Sequence, residues 1–242
     1  MRLDKAVSLA GVSRKDAKKI LASGRVSVNG KPEKSGSFLL APGDTVALDG
    51  TAIRLKTHVH IMIHKPAGCL TATEDPRGEQ TVLDLVPASM RARDLGPIGR
   101  LDKDVTGLVI LTTDGQLAHR LISPKRGIEK QYTARVEGQL TEAAVRAFAE
   151  GMDLGDFETR PARLEILEAF PDHSLCRVYI TEGKFHQVKR MLEKAGCPVT
   201  ALSRQRVAGL TLDEDLPLGK CRYLTEQEEA LLYAAAGMEV PE

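Results

Sequence analysis

No run free of Asp, Glu, Lys and Arg exceeds nine residues anywhere in the 242-residue chain, while a membrane span needs roughly 18 apolar positions. Transmembrane helices are excluded. Cysteine is scarce: Cys69, Cys176, Cys197 and Cys221 stand alone, with no CxxC or CxxH spacing among them, so neither a zinc knuckle nor a disulfide framework is expected. The N-terminus lacks the long apolar region and small-residue cleavage site of a secretory signal, which predicts a cytoplasmic protein. Internal repeats and low-complexity tracts are missing as well. His58 and His60 form an HxH pair, but no cysteine or carboxylate sits at ligand spacing nearby, so they read as the outer face of a strand.

Charge of one sign also looks absent, with a net +1, until it is divided along the chain. Residues 1–34 carry nine Lys or Arg against three acids, and residues 184–206 carry six against one. Residues 213–242 carry eight acids against two basic residues, so an acidic tail hides two basic regions and a polyanionic partner stays open.

The first fifty residues read as a unit. Leu3, Val7 and Leu9 start a short helix that Gly11 breaks, and Ser13 with Asp16 offers an N-cap for a second helix ending before Gly24. Arg14, Lys15, Lys18 and Lys19 gather on that helix while Ala17, Ile20 and Leu21 face inward. Asn29-Gly30 is a two-residue hairpin signal, and Asp44–Leu48 reads as a further strand. Residues 51–58 lack a pattern and read as a linker. Beyond it, strands are predicted at 58–64, 108–112, 131–136, 164–167 and 176–180, with helices at 116–122, 142–150, 186–194 and 226–236. Their irregular order predicts an α+β domain over 59–242, with a mixed, largely antiparallel sheet flanked by helices.

Within that domain, Gly99-Arg100-Leu101-Asp102-Lys103-Asp104-Val105-Thr106-Gly107 is a charged loop between glycines that feeds an apolar strand. A loop on rigid support is where function concentrates. From spacing alone, Asp102 or Asp104 equally caps a turn.

The N-terminal segments MRLDKAV, SRKDAKKILASGRVSVNGKP and PGDTV resemble the S4 RNA-binding domain. The run GRLDKDVTGLVILTTDG at 99–115 resembles the signature loop of the pseudouridine synthases, in the branch of the small-ribosomal-subunit enzymes. IHKPAGCLTATEDP at 63–76, EKQYTARVEG at 129–138 and TEGKFHQVKRML at 181–192 agree in order and spacing. Val105 departs from the pattern, in which Thr or Ser is common.

The resemblance implies isomerisation of a uridine in RNA to pseudouridine, without cofactor or metal. It makes Asp102 the catalytic carboxylate, Lys189 the cation that keeps it charged, and Tyr132 the ring stacked on uracil with its hydroxyl near C5. Strand alternation independently turns Tyr132 inward with Ala134 and Val136. Arg100 and Lys65 are expected to hold the displaced RNA backbone, with Lys184 and Arg190 as further RNA contacts. In the S4 segment, Arg2, Arg14, Lys15, Lys18, Lys19 and Arg25 are the expected phosphate ligands. The implied partner is ribosomal RNA, 16S rather than large-subunit rRNA, met by a monomer as a small-subunit assembly intermediate. A non-catalytic ribosome-assembly protein is the competing class. A glycoside hydrolase, which needs two flanking carboxylates, has Asp104 as its nearest second acid.

Overall fold

The computed structural model describes residues 2–9, 12–41, 43–53 and 58–241. Met1, Ala10, Gly11, Pro42, the segment 54–57 and Glu242 lie outside the described residues, as do the side chains of Leu9 and Arg14. The chain forms two compact units that divide between Thr57 and His58.

In the first unit, helices α1 (Leu3–Leu9) and α2 (Arg14–Ala22) precede a four-stranded antiparallel sheet of β1 (Val26–Val28), β2 (Lys31–Pro32), β3 (Val46–Leu48) and β4 (Thr51–Ile53), ordered β2-β1-β3-β4. Ser13 caps α2 by accepting a 3.1 Å hydrogen bond from the Asp16 N–H. Asn29 and Gly30, at φ 51° and 77°, make the β1–β2 turn with both residues in the left-handed region that a tight hairpin requires. Leu3, Val7, Ala17, Leu21, Val26 and Val46 fill the core of this unit. Residues 51–53 are not linker: β4 pairs with β3, hydrogen bonding supplying what the sequence pattern did not show.

The second unit is built on β5 (His60–Lys65), β6 (Gly96–Pro97), β7 (Thr106–Thr112), β8 (Lys130–Glu137), β9 (Arg163–Ala169), β10 (His173–Ile180), β11 (Val199–Val207), β12 (Leu210–Thr211) and β13 (Cys221–Tyr223). Helices α3 (Gly115–Ile122), α4 (Glu142–Glu150), α5 (Gln187–Lys194) and α6 (Glu226–Ala235) flank it. The main path runs β13-β5-β7-β11-β8-β10-β9, antiparallel except at the β7–β11 seam, so the sheet is mixed as predicted. His60 does not lie on an outer face: it is 3 % exposed, with its ring hydrogen-bonded to Thr112 Oγ1 at 2.9 Å and within 3.3 Å of the Tyr233 hydroxyl. Helix α6 brings Tyr233 over that side of β5, and Asp114, the N-cap of α3, accepts from the same hydroxyl at 2.8 Å.

The β7–β11 seam places the charged loop. Gly107 pairs with Arg204 at φ 107°, and a Cβ there would lie 2.2 Å from the Arg204 carbonyl oxygen. Only a residue without a side chain lets the two backbones approach this closely. Gly107→Ala combines a positive-φ penalty with a backbone collision, so it is expected to cost ~3 kcal/mol or more and lower the unit's Tm by ~10 °C. A melt within ~2 °C of wild type would show that β11 gives way freely.

Candidate active site

The loop 99–105 enters β7 and is held by its backbone. Lys65, at the end of β5, is fully buried, and its Nζ donates to the carbonyls of Val105 at 2.7 Å and of Pro66, Asp102 and Lys103 at 3.1 Å each. Thr71 Oγ1 donates to the Leu101 carbonyl at 2.8 Å and accepts from the Leu101 N–H at 3.1 Å. The Gly68 N–H reaches the Lys103 carbonyl at 2.8 Å. Successive carbonyls thus converge on one ammonium, which fixes where Asp102 leaves the chain. Lys65 is thus spent on the loop backbone and is not exposed at the surface, where the expected RNA contact would need it. Burial lowers the pKa of its ammonium, opposed in part by the nearby acids.

Asp102 opens into a pocket whose walls include Arg100, Val105, Tyr132, Lys184, His186 and Lys189. Lys189 Nζ stands 3.3 Å from Asp102 Oδ2, and His186 Nε2 stands 3.6 Å from the same oxygen. His186 caps α5 and Lys189 lies three residues on, so helix geometry turns both toward the loop. Lys189 is closer still to Asp104, donating to Oδ1 at 2.7 Å and Oδ2 at 2.8 Å. Those hydrogen bonds hold the Asp104 carboxyl below its ordinary range. The lysine expected to serve Asp102 alone therefore bridges two carboxylates.

Tyr132, on β8 opposite Arg204 of β11, is 7 % exposed and turns its ring into the same pocket. Its hydroxyl makes no hydrogen bond among the described residues. Arg204 is itself buried, its Nε donating to the Leu108 carbonyl at 2.9 Å, and it pins the strand carrying the loop. Neither His186 nor Arg204 was singled out from sequence. A strained backbone at His186, φ 51°, carries no sequence signature, and Arg204 stands in the polar run Ser203–Arg206, which reads as exposed.

The remaining cations divide. Arg100 and Lys184 are exposed and line the pocket, and Arg100 has no ion pair among the described residues. Arg190 turns away: one residue past Lys189 on a helix is a rotation of roughly 100°. It pairs with Asp156, donates to the Leu154 carbonyl at 2.8 Å and lies 5.0 Å over the Phe157 ring. In the N-terminal unit, Lys15, Lys18 and Lys19 are exposed along α2. Arg2 and Arg25 are engaged instead with Asp4 at 2.7 Å and Asp49 at 2.9 Å. No cluster of three metal-ligating side chains occurs among the described residues, and no described helix is long and apolar enough to cross a membrane.

Residues 59–194 match the family model for RNA pseudouridylate synthase, and residues 1–46 match the S4 domain. An RNA pseudouridine synthase of Bacillus subtilis is 40 % identical over 96 % of this chain and 98 % of its own length. The ribosomal small subunit pseudouridine synthase A of Vibrio cholerae is 41 % identical over 96 % of this chain and 100 % of its own, and that of Escherichia coli is 39 % identical over 95 % and 99 %. Among solved structures, a pseudouridylate synthase superposes with a TM-score of 0.67 at 35 % identity, covering 96 % of this chain and 99 % of the other.

Proposed function

The chain belongs to the RNA pseudouridine synthases, and from that premise we propose that it isomerises one uridine of 16S ribosomal RNA, with Asp102 as the reacting carboxylate. The observation that carries the site assignment is the convergence in one pocket of Asp102, the Lys189 ammonium at 3.3 Å and the buried Tyr132 ring, on a loop whose backbone is immobilised from behind. Substrate choice is argued from relatives near 40 % identity that act, by name, on the small ribosomal subunit.

The reaction breaks C1′–N1, turns the uracil, and joins C1′ to C5, whose proton is released while N1 gains one. Atoms balance without a co-reactant. The uridine must leave its helical stack first, at a cost of a few kcal/mol. Tyr132 offers a ring face to the extruded base and an unengaged hydroxyl for the proton at C5. Arg100 and Lys184, at the pocket wall, are placed for the phosphates on either side. Asp102 performs the covalent or proton-abstracting step at the sugar or at C6. We place the enzyme in the cytoplasm as a monomer acting on an assembly intermediate of the small subunit, with the S4 unit, residues 1–50, as its RNA grip.

Transcripts of 16S and 23S rRNA labelled with tritium at uridine C5 test this. One equivalent released from 16S, with no free uracil, is expected. Release from 23S alone would move the substrate to the large subunit, and none from either would leave an RNA-binding protein. For the grip, changing Arg14, Lys15, Lys18 and Lys19 to Ala should reduce the slope of log K against log salt by roughly 3, up to 0.9 per lost phosphate contact. An unchanged slope would make this face merely solvated.

A further inference from the structure

Phe185 is the most exposed large apolar side chain among the described residues, at 74 %, and it stands between two residues of the pocket wall, Lys184 and His186. One face of its ring stacks on His186, with centroids 3.7 Å apart and planes 19° from parallel. His186 is held in turn with Nε2 3.6 Å from Asp102. A single surface phenylalanine needs no explanation. This one is a flat π surface between two residues of the wall that holds Asp102, and the Lys184 ammonium just before it in the chain lies 5.7 Å over the Phe157 ring.

Extruding the target leaves a neighbouring base without its stacking partner. An aromatic face beside a cation is the chemistry that takes up such a base, since every nucleobase offers a π face and carries a phosphate with it. We propose that the Phe185–His186 pair is a second nucleotide subsite, on which the base adjacent to the extruded uridine stacks. The inference rests on the pseudouridine synthase reading above, and it adds a ligand-binding residue outside the catalytic step.

The chain contains no tryptophan, so Phe185→Trp places a single tryptophan at the subsite, excited selectively over the four tyrosines. Titrated with the 16S transcript, its emission should change with the same midpoint as RNA binding followed by anisotropy of labelled RNA. Phe185→Ala should lower kcat/KM on that transcript about 5- to 140-fold, the equivalent of ~1–3 kcal/mol per stacked base, with Phe185→Tyr restoring it and Phe185→Leu failing to. Emission that stays fixed at RNA saturation would overturn the subsite. So would full activity in Phe185→Leu, which would mark the side chain as an apolar contact for a protein partner. If emission responds while wild type releases no tritium, the subsite stands and the assigned reaction falls. Tritium release with unmoved emission gives the reverse.

Discussion

Replacing Asp102 with Asn is expected to leave a folded, RNA-binding protein that loses at least ~10²-fold in pseudouridine formation. The fold is spared because the loop is held chiefly through its backbone rather than through this carboxylate. Its place is set by hydrogen bonds to the backbone of Leu101, Asp102, Lys103 and Val105, all of which an asparagine keeps. The carboxylate meets Lys189 at 3.3 Å and His186 at 3.6 Å, longer than a strong charge-assisted hydrogen bond, so little stability is lost with it. Asp104→Asn should differ. That carboxylate is mostly exposed and takes both close contacts from Lys189, so its loss frees the ammonium for Asp102 and should change activity less than ~10-fold. Single-turnover tritium release and a thermal melt on both variants decide the matter. Asp102→Asn activity above ~1 % of wild type, or a deeper loss in Asp104→Asn, would assign the reaction to the wrong acid.

How far the sequence reaches depends on which forces position each residue. Strands β7 and β8 were legible because apolar runs and alternation reflect burial along the strand itself, and α2, α4 and α6 because helical periodicity and, in α2 and α6, side-chain caps are local. Strand β11 was missed. Ser203, Arg204, Gln205 and Arg206 look like loop, and bulges near residues 199–201 and 204–206 break the alternation, although the strand lies at the centre of the sheet. Its polarity is resolved in three dimensions, where the Leu108 carbonyl accepts from Arg204 across the seam. His60 was misplaced for a similar reason, since the side of β5 that alternation turns outward is closed by Tyr233, 173 residues away. Arg190 resembled an RNA ligand because its partner Asp156 lies 34 residues upstream. The candidate site was legible where chemistry depends on residue type within a short motif, as for Asp102 and Tyr132. It was opaque where a charge serves the backbone.

Lys65 is the sharpest such case, and Lys65→Met is expected to damage stability and turnover together. Methionine matches the length and apolar stem of lysine but donates nothing, so the carbonyls of Asp102, Lys103 and Val105 would be left facing a buried thioether. An unpaired buried acceptor costs ~1–3 kcal/mol, so the loss should total ~3–5 kcal/mol after partial relaxation, a fall of ~10 °C or more in Tm. Molecules that remain folded should also turn over slowly, because those carbonyls aim Asp102 and a displacement of ~1 Å can cost ~10²-fold. Lys65→Arg should rescue little: a planar fork cannot converge on a ring of acceptors that surrounds one tetrahedral ammonium. The alternative role, a phosphate contact, predicts the opposite pattern, namely an unchanged Tm, an unchanged kcat at saturating RNA, and a salt slope lower by up to ~0.9. Melting and salt titration of the same variant separate the two, and a stable Lys65→Met with a reduced slope would return Lys65 to the RNA surface.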